Sequence, residues 1–117
     1  MRSRQRWLAF ASVPRGGIVV DEGARRALVA SHKSLLPSGI RATRKSFRAG
    51  DVVSLVDSHD REFARGLVNY SRDEVEKIKG LHSHEIAGVL GAKPYDEVVH
   101  RDNLAILDSW DAASVAS

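Results

Sequence analysis

Between Asp21 and Ile40 the chain reads as one helix with a marked start and a marked stop, and the remaining sequence must be arranged around it. Asp21 can accept a backbone N–H bond from the first turn, and Glu22 sits where the helix dipole favours negative charge. Ala24, Ala27 and Leu28 recur at helical spacing. They give a narrow apolar face of mostly small side chains, which lets a helix lie close to a sheet. His32 and Lys33 fall near the carboxyl end, where positive charge suits the dipole. Leu35 and Leu36 are expected to bury the exit. Pro37 is expected to stop the helix, and Ser38-Gly39 to turn the chain into a strand at Ile40. Gly39, at the reversal, is expected to need a positive φ.

Upstream, Arg2, Arg4 and Arg6 alternate with other residues ahead of Trp7. Residues 1–6 are expected to be an exposed lead-in or linker stub, and Trp7 to Ala11 a first strand. Pro14 to Gly17 is a turn, and Ile18 to Val20 a second short strand. Downstream, Ile40 to Phe47 reads as a strand whose exposed positions, Arg41, Arg44 and Lys45, are basic. Val52 to Val56 is a buried strand, apolar at all but one position. Asp57 to Asp60 is a polar hairpin loop, and Arg61 to Tyr70 the next strand. Gly66 inside that strand implies a bulge or a close backbone approach.

Ser71 and Glu74 have the spacing of a capping box, so a helix is expected to start there, with Val75 and Ile78 inward and Gly80 at its end. A second helical segment runs from about Ser83 to Leu90, with Ile86, Val89 and Leu90 on one side and Gly91 as its stop. Val98-Val99 and Leu104 to Leu107 return to extended structure. Residues 108–117 are small and polar apart from Trp110 and are expected to form a flexible tail. Short strands, tight turns and few helices point to a mainly β chain with flanking helices (α+β), a small barrel closed by helices over residues 7–107.

At 117 residues the chain makes one domain with a modest core. It has no cysteine, which excludes disulfides and thiolate metal sites and fits a cytoplasmic setting. Its apolar runs are far too short to span a membrane, and the basic N-terminus has no secretory-signal core. The net charge of +3 hides an asymmetry: residues 1–48 hold eleven Lys/Arg and two acids, residues 49–117 seven Lys/Arg and thirteen acids. A basic half suits an anionic partner such as nucleic acid; the plainer alternative is a solvated face that keeps the chain soluble.

Catalytic patterns are missing. There is no G-x-G-x-x-G, no G-x-x-x-x-G-K-[ST] phosphate loop and no serine in G-x-S-x-G. His82, His84, Glu85 and His100 are suitable metal ligands, but their spacing is not that of H-E-x-x-H. A hydrogen-bonded connection between two helical segments is the favoured reading. His100 to Asn103 superficially resembles the protein-kinase catalytic loop, yet Leu107 stands where that motif needs an asparagine. A turn built on Asp102 and Asn103 accounts for the same residues. No catalytic residue and no metal site is expected.

Several long segments carry a family resemblance: VVDEGARRAL (residues 19–28), KSLLPSGI (33–40), the F-x-x-GD-V-V run from Phe47, and ARGLVNYS (64–71). Together they resemble a PUA domain. The segments KIKGLHSHEI (77–86) and YDEVVHRDNLAIL (95–107) narrow the likeness to the PUA domain at the C-terminal end of glutamate 5-kinases.

The resemblance implies a PUA pseudobarrel flanked by helices. It also implies a parent protein, a phosphotransferase that phosphorylates the glutamate side chain in proline biosynthesis. The ATP and Mg of that reaction belong to an amino-acid-kinase domain that has no counterpart here, so this chain alone is expected to be no enzyme and to hold no cofactor. The expected partners are that kinase domain, within a parent that is itself a homo-oligomer, and structured RNA, with no membrane. PUA domains commonly bind RNA through the first helix, the loop after it and the last strand. Matched by position, the RNA- or anion-binding surface here comprises Arg15, Gly16, Arg25, Lys33, Ser38, Gly39 and Arg41. The expected role is a regulatory or RNA-binding-type module; the alternative is a stand-alone PUA-type RNA-binding protein.

Overall fold

The computed structural model describes residues 3–107, so the expected tail at 108–117 lies outside the described residues. Five strands form one mixed sheet: β1 (Gly16–Val20), β2 (Ile40–Arg44), β3 (Val52–Val56), β4 (Glu62–Leu67) and β5 (Leu104–Ile106), in the order β2-β1-β3-β4-β5. β1 pairs antiparallel with β2 and parallel with β3, and the β3–β4 and β4–β5 pairs are antiparallel. Among the described residues, four helices flank the sheet: α1 (Ser3–Phe10), α2 (Glu22–Ser31), α3 (Arg72–Ile78) and α4 (Ile86–Leu90). The expected class, mainly β with flanking helices, is the one observed.

Alternation along the strands divides the sheet into two faces. Ile18, Val20, Val53, Leu55 and Ala64 point inward, where Leu28 of α2, Val75 and Ile78 of α3 and Ile86 of α4 join them in the main core. A register shift between Leu55 and Val56 leaves Phe63 as an extra residue on β4. Phe63 and Ala64 therefore both enter the core, while Glu62 stays on the outer face. Gly66 is a close approach: a Cβ there would stand 2.5 Å from Val99 Cγ1 and 3.0 Å from the Asn103 carbonyl oxygen. The segment after α2 is fastened to this region by a backbone bridge between Leu35 and Val99.

The outer face carries a second, smaller cluster of Leu8, Val52 and Ala105. Leu8 comes from α1, which corrects the expectation of a first strand at Trp7 to Ala11. A short apolar run does not distinguish strand from helix by its pattern. Here the helix buries Leu8 fully and Ala9 in part, leaving Trp7 and Phe10 47% and 66% exposed. Arg4 donates to Asn103 Oδ1 (2.5 Å) and Gln5 to the Asp102 carbonyl (2.7 Å), tying α1 to the turn before β5.

The local helix signals behave as expected at Ser71, whose hydroxyl accepts from Glu74 N while the Glu74 carboxylate accepts from Ser71 N. Gly91 ends α4 at φ 83°. Val89 departs from expectation: it is exposed, because α4 has one turn and only Ile86 is fully inside.

Candidate functional site

The sheet separates the residues singled out from sequence. Asp21 caps α2 by accepting from Ala24 N at 2.7 Å. The helix closes at His32, which takes the left-handed conformation (φ 51°) and donates its N–H to the Ala27 carbonyl. Helix arrest therefore occurs five residues before Pro37. Pro37, itself buried, instead opens a 3₁₀ turn, Pro37–Gly39, and its carbonyl accepts from Gly80 N at 2.8 Å. Leu35 is buried as expected, but Leu36 is 44% exposed. Gly39 has no positive φ. Its constraint is contact: a Cβ there would lie 2.5 Å from Ala24 Cβ.

This close packing leaves a groove of about 310 Å³ between α2 and the 3₁₀ turn, lined in part by Lys33, Ser38 and Gly39. Lys33 also borders a neighbouring hollow of about 370 Å³ with Glu97, His100 and Arg101. Ser34 Oγ accepts from Arg101 N at 2.9 Å, so the loop after α2 and the turn before β5 are held together. Arg41, the second residue of β2, is exposed just beyond Gly39 and makes no ion pair among the described residues.

Arg25 has a different setting. Its guanidinium lies 5.6 Å from the centroid of the Phe63 ring, and Nε is 3.9 Å from Asp57 Oδ2. Asp57 is 3% exposed and accepts from the backbone N–H groups of His59 and Arg61 and from Arg61 Nε. Burial alone would raise its carboxyl pKa, but the two backbone donors and the Arg61 guanidinium hold it below the usual 3.8. Sequence reasoning placed Asp57 in a hairpin loop and missed this role. The only available signal was the four-residue spacing to Arg61.

Arg15 and Gly16 lie at the other end of β1. Gly17 pairs with Arg44 at the end of β2, whereas Val20 pairs with Ile40 beside Gly39. Four residue steps along a strand separate the two ends by roughly 13 Å. Gly16 is buried under the Arg44 carbonyl and Phe47, with a Cβ position only 2.7 Å and 2.9 Å from them. Arg15 is exposed and shares a cleft with Arg44, Lys45 and Arg65.

A sheet of this order, with α2 crossing from β1 to β2, matches a known domain type, and a PUA domain family model covers residues 16–90. The chain belongs to the PUA domain family. The resemblance noted in the sequence is borne out more narrowly too. The chain is 57% identical over 106 residues to the glutamate 5-kinase of Caldanaerobacter subterraneus subsp. tengcongensis, a match covering 91% of this chain and 28% of that protein. It is 53% identical to the glutamate 5-kinase of a Thermoanaerobacter species over the same shares. The chain thus spans little more than a quarter of the length of these curated relatives. Among solved structures, a PUA domain from Aeropyrum pernix, crystallised as a tartrate complex, superposes with a TM-score of 0.59 at 21% identity. That match covers 86% of this chain and 48% of the other, and it speaks to the fold alone.

In this PUA domain the histidines do not converge. His82 and His84 stack with ring centroids 5.8 Å apart, and the Glu85 carboxylate accepts from His82 N at 2.8 Å. His100 Nδ1 accepts from Asp102 N at 3.0 Å, closing the turn that had superficially resembled a kinase loop. Among the described residues no group of three His, Cys, Asp or Glu side chains is placed to hold a metal ion. No helix among them is long and apolar enough to cross a membrane.

Proposed function

We propose that this chain is the C-terminal PUA module of an ATP-dependent glutamate 5-kinase of proline biosynthesis, acting in the cytoplasm as a non-catalytic regulatory or RNA-binding-type domain. The observation that carries the reading is the identity of 57% across 91% of this chain, set against only 28% of the relative. An identity that high over a small share of a larger protein is what a shared appended domain produces. ATP, Mg and glutamate would then be handled by the kinase portion of the parent, a homo-oligomer in this reading, and the PUA domain would act on that portion or on a separate anionic ligand. The local chemistry supports a binding role. Lys33, Ser38 and Gly39 share one groove, and Lys33 and Arg41 carry exposed charge beside it. Arg25 supports the fold more than a ligand, being held against Asp57 and Phe63.

The stand-alone RNA-binding alternative draws on those same exposed cations. An antibody raised against this domain distinguishes the two in extracts of the source cells. Detection of a polypeptide several times longer than 117 residues is the expected result. A single band at the length of this chain would contradict the parent-kinase reading.

A further inference from the structure

The outer face of the sheet holds a second charged site, on the opposite end of β1 and β2 from Lys33 and Gly39. The pairing register aligns Arg44, Gly17, Ser54 and Arg65 in one row across β2, β1, β3 and β4. Gly17 and Ser54 are small, so the row forms a trough with an arginine on either side. Three strand spacings put those two arginines roughly 14 Å apart at the backbone. α1 covers the neighbouring Val52 and Ala105 and leaves this row open, giving a cleft of about 440 Å³. A Cβ on Gly17 would stand 3.4 Å from both Arg44 Cβ and the Ser54 carbonyl oxygen, an ordinary contact distance, so the bare glycine deepens the floor beside the Arg44 stem without being required for it.

The charges in this trough do not cancel. Arg65 is satisfied, with Nε and one terminal nitrogen on Glu62 (3.0 and 3.2 Å) and the other on the Ser12 carbonyl (3.0 Å). Glu62 also accepts from the Ser54 hydroxyl, so the single acid of the trough is already fully engaged. Arg44 meets Asp60 at 3.4 Å, but both side chains are more than half exposed, and such pairs are weak in water. Arg15 and Lys45 line the same trough and make no ion pair among the described residues. Arg48, equally without one, borders an adjoining hollow of about 370 Å³ that shares Arg15. Lys45 holds a left-handed backbone at φ 59°, uncommon for a residue other than glycine or asparagine, at the point where the chain leaves β2.

We propose that this trough binds a phosphoryl group, with Arg15 and Lys45 as its charge partners, Arg44 as its wall and the Gly17 backbone as its floor. Several cations converge on one concave surface whose lining, among the described residues, holds one carboxylate, the compensated Glu62, which suits a ligand of more than one negative charge. The proposal is independent of the parent protein's identity. The phosphoryl group could belong to a small free phosphate or to a polynucleotide strand.

The test is a titration of the ¹⁵N-labelled chain at low salt with inorganic pyrophosphate and, separately, with a short oligouridylate. The amides of Gly17, Lys45 and Ser54 should shift. Arg15→Ala combined with Lys45→Asn should weaken binding by about tenfold or more, since each removes a charge-assisted contact. Asparagine tolerates the left-handed backbone, so this variant should stay folded. Lys33→Ala with Arg41→Ala should leave these shifts unchanged. Response to pyrophosphate assigns the site to free phosphates; response to oligouridylate alone assigns it to a polynucleotide. Silence with both probes, shifts centred on Gly39 and Lys33, or undiminished affinity in the double variant would overturn the proposal.

Discussion

Gly39 and Ala24 meet so closely that a single added methyl on Gly39 would stand 2.5 Å from Ala24 Cβ. The contact fixes how the 3₁₀ turn sits under α2, and it explains why both residues are small. Gly39→Ala should therefore destabilise the domain by about 1–3 kcal/mol through overpacking. Ala24→Gly in the same chain should recover part of that loss, less the helix cost of glycine of about 1 kcal/mol. Urea denaturation of the two single variants and the double variant checks this. Strictly additive losses would show that the two side chains do not collide.

Asp57 gives a dependence on pH whose sign follows from its environment. Its carboxyl is held below the usual 3.8, so the charged form is favoured by folding. The resulting stabilisation is fully present above the unfolded value and is lost as pH falls through the folded one. Glu76 acts in the same direction: hydrogen bonds from Lys79 and Thr43 hold it below 4.5 despite its partial burial. The wild-type denaturant midpoint should fall below about pH 4, and Asp57→Asn should make that fall shallower. Near neutral pH the same variant should cost about 1.5–3 kcal/mol, as a charged acceptor of several hydrogen bonds is lost. An acid limb unchanged by Asp57→Asn would place the titration elsewhere.

Structured RNA provides a separate check on the groove beside α2. Binding there should weaken steeply with salt, because phosphate contacts release condensed counterions. Lys33→Ala with Arg41→Ala should flatten the salt slope by roughly two contacts' worth. Lys77→Ala, on α3 in the acidic half, should change it little. Fluorescence anisotropy at two salt concentrations supplies the readout. Equal effects of both sets of changes would remove RNA from this surface.

Features encoded within a few residues were legible in the sequence. Asp21, Ser71 and Gly91 mark helix ends because caps are local hydrogen bonds. Ala24 reads as a small residue of a close-packed helix face, but Gly39, expected to need a positive φ, is held instead by its contact with Ala24. What was not legible depends on partners far along the chain. Whether Trp7 to Ala11 becomes strand or helix is decided by the outer face of β3 and β5, which buries Leu8 fully and Ala9 in part. Leu36 and Val89 look like core residues until the packing leaves them outside. The basic residues could be counted, but not sorted. Only the β1–β2 register shows that Arg15 lies at the opposite end from Lys33, and only the fold brings Arg25 to Asp57. Arg65 and Arg48, which border the outer clefts, carry no local signal at all.

The central claim, that this is a PUA module without catalytic chemistry of its own, meets its most direct test in a coupled ADP-release assay. The purified chain is supplied with glutamate, ATP and Mg. The account predicts a rate indistinguishable from the blank, since it assigns ATP, Mg and glutamate to the part of the parent that this chain, matching 28% of its relative, does not cover. Glutamate-dependent turnover above the blank would contradict it.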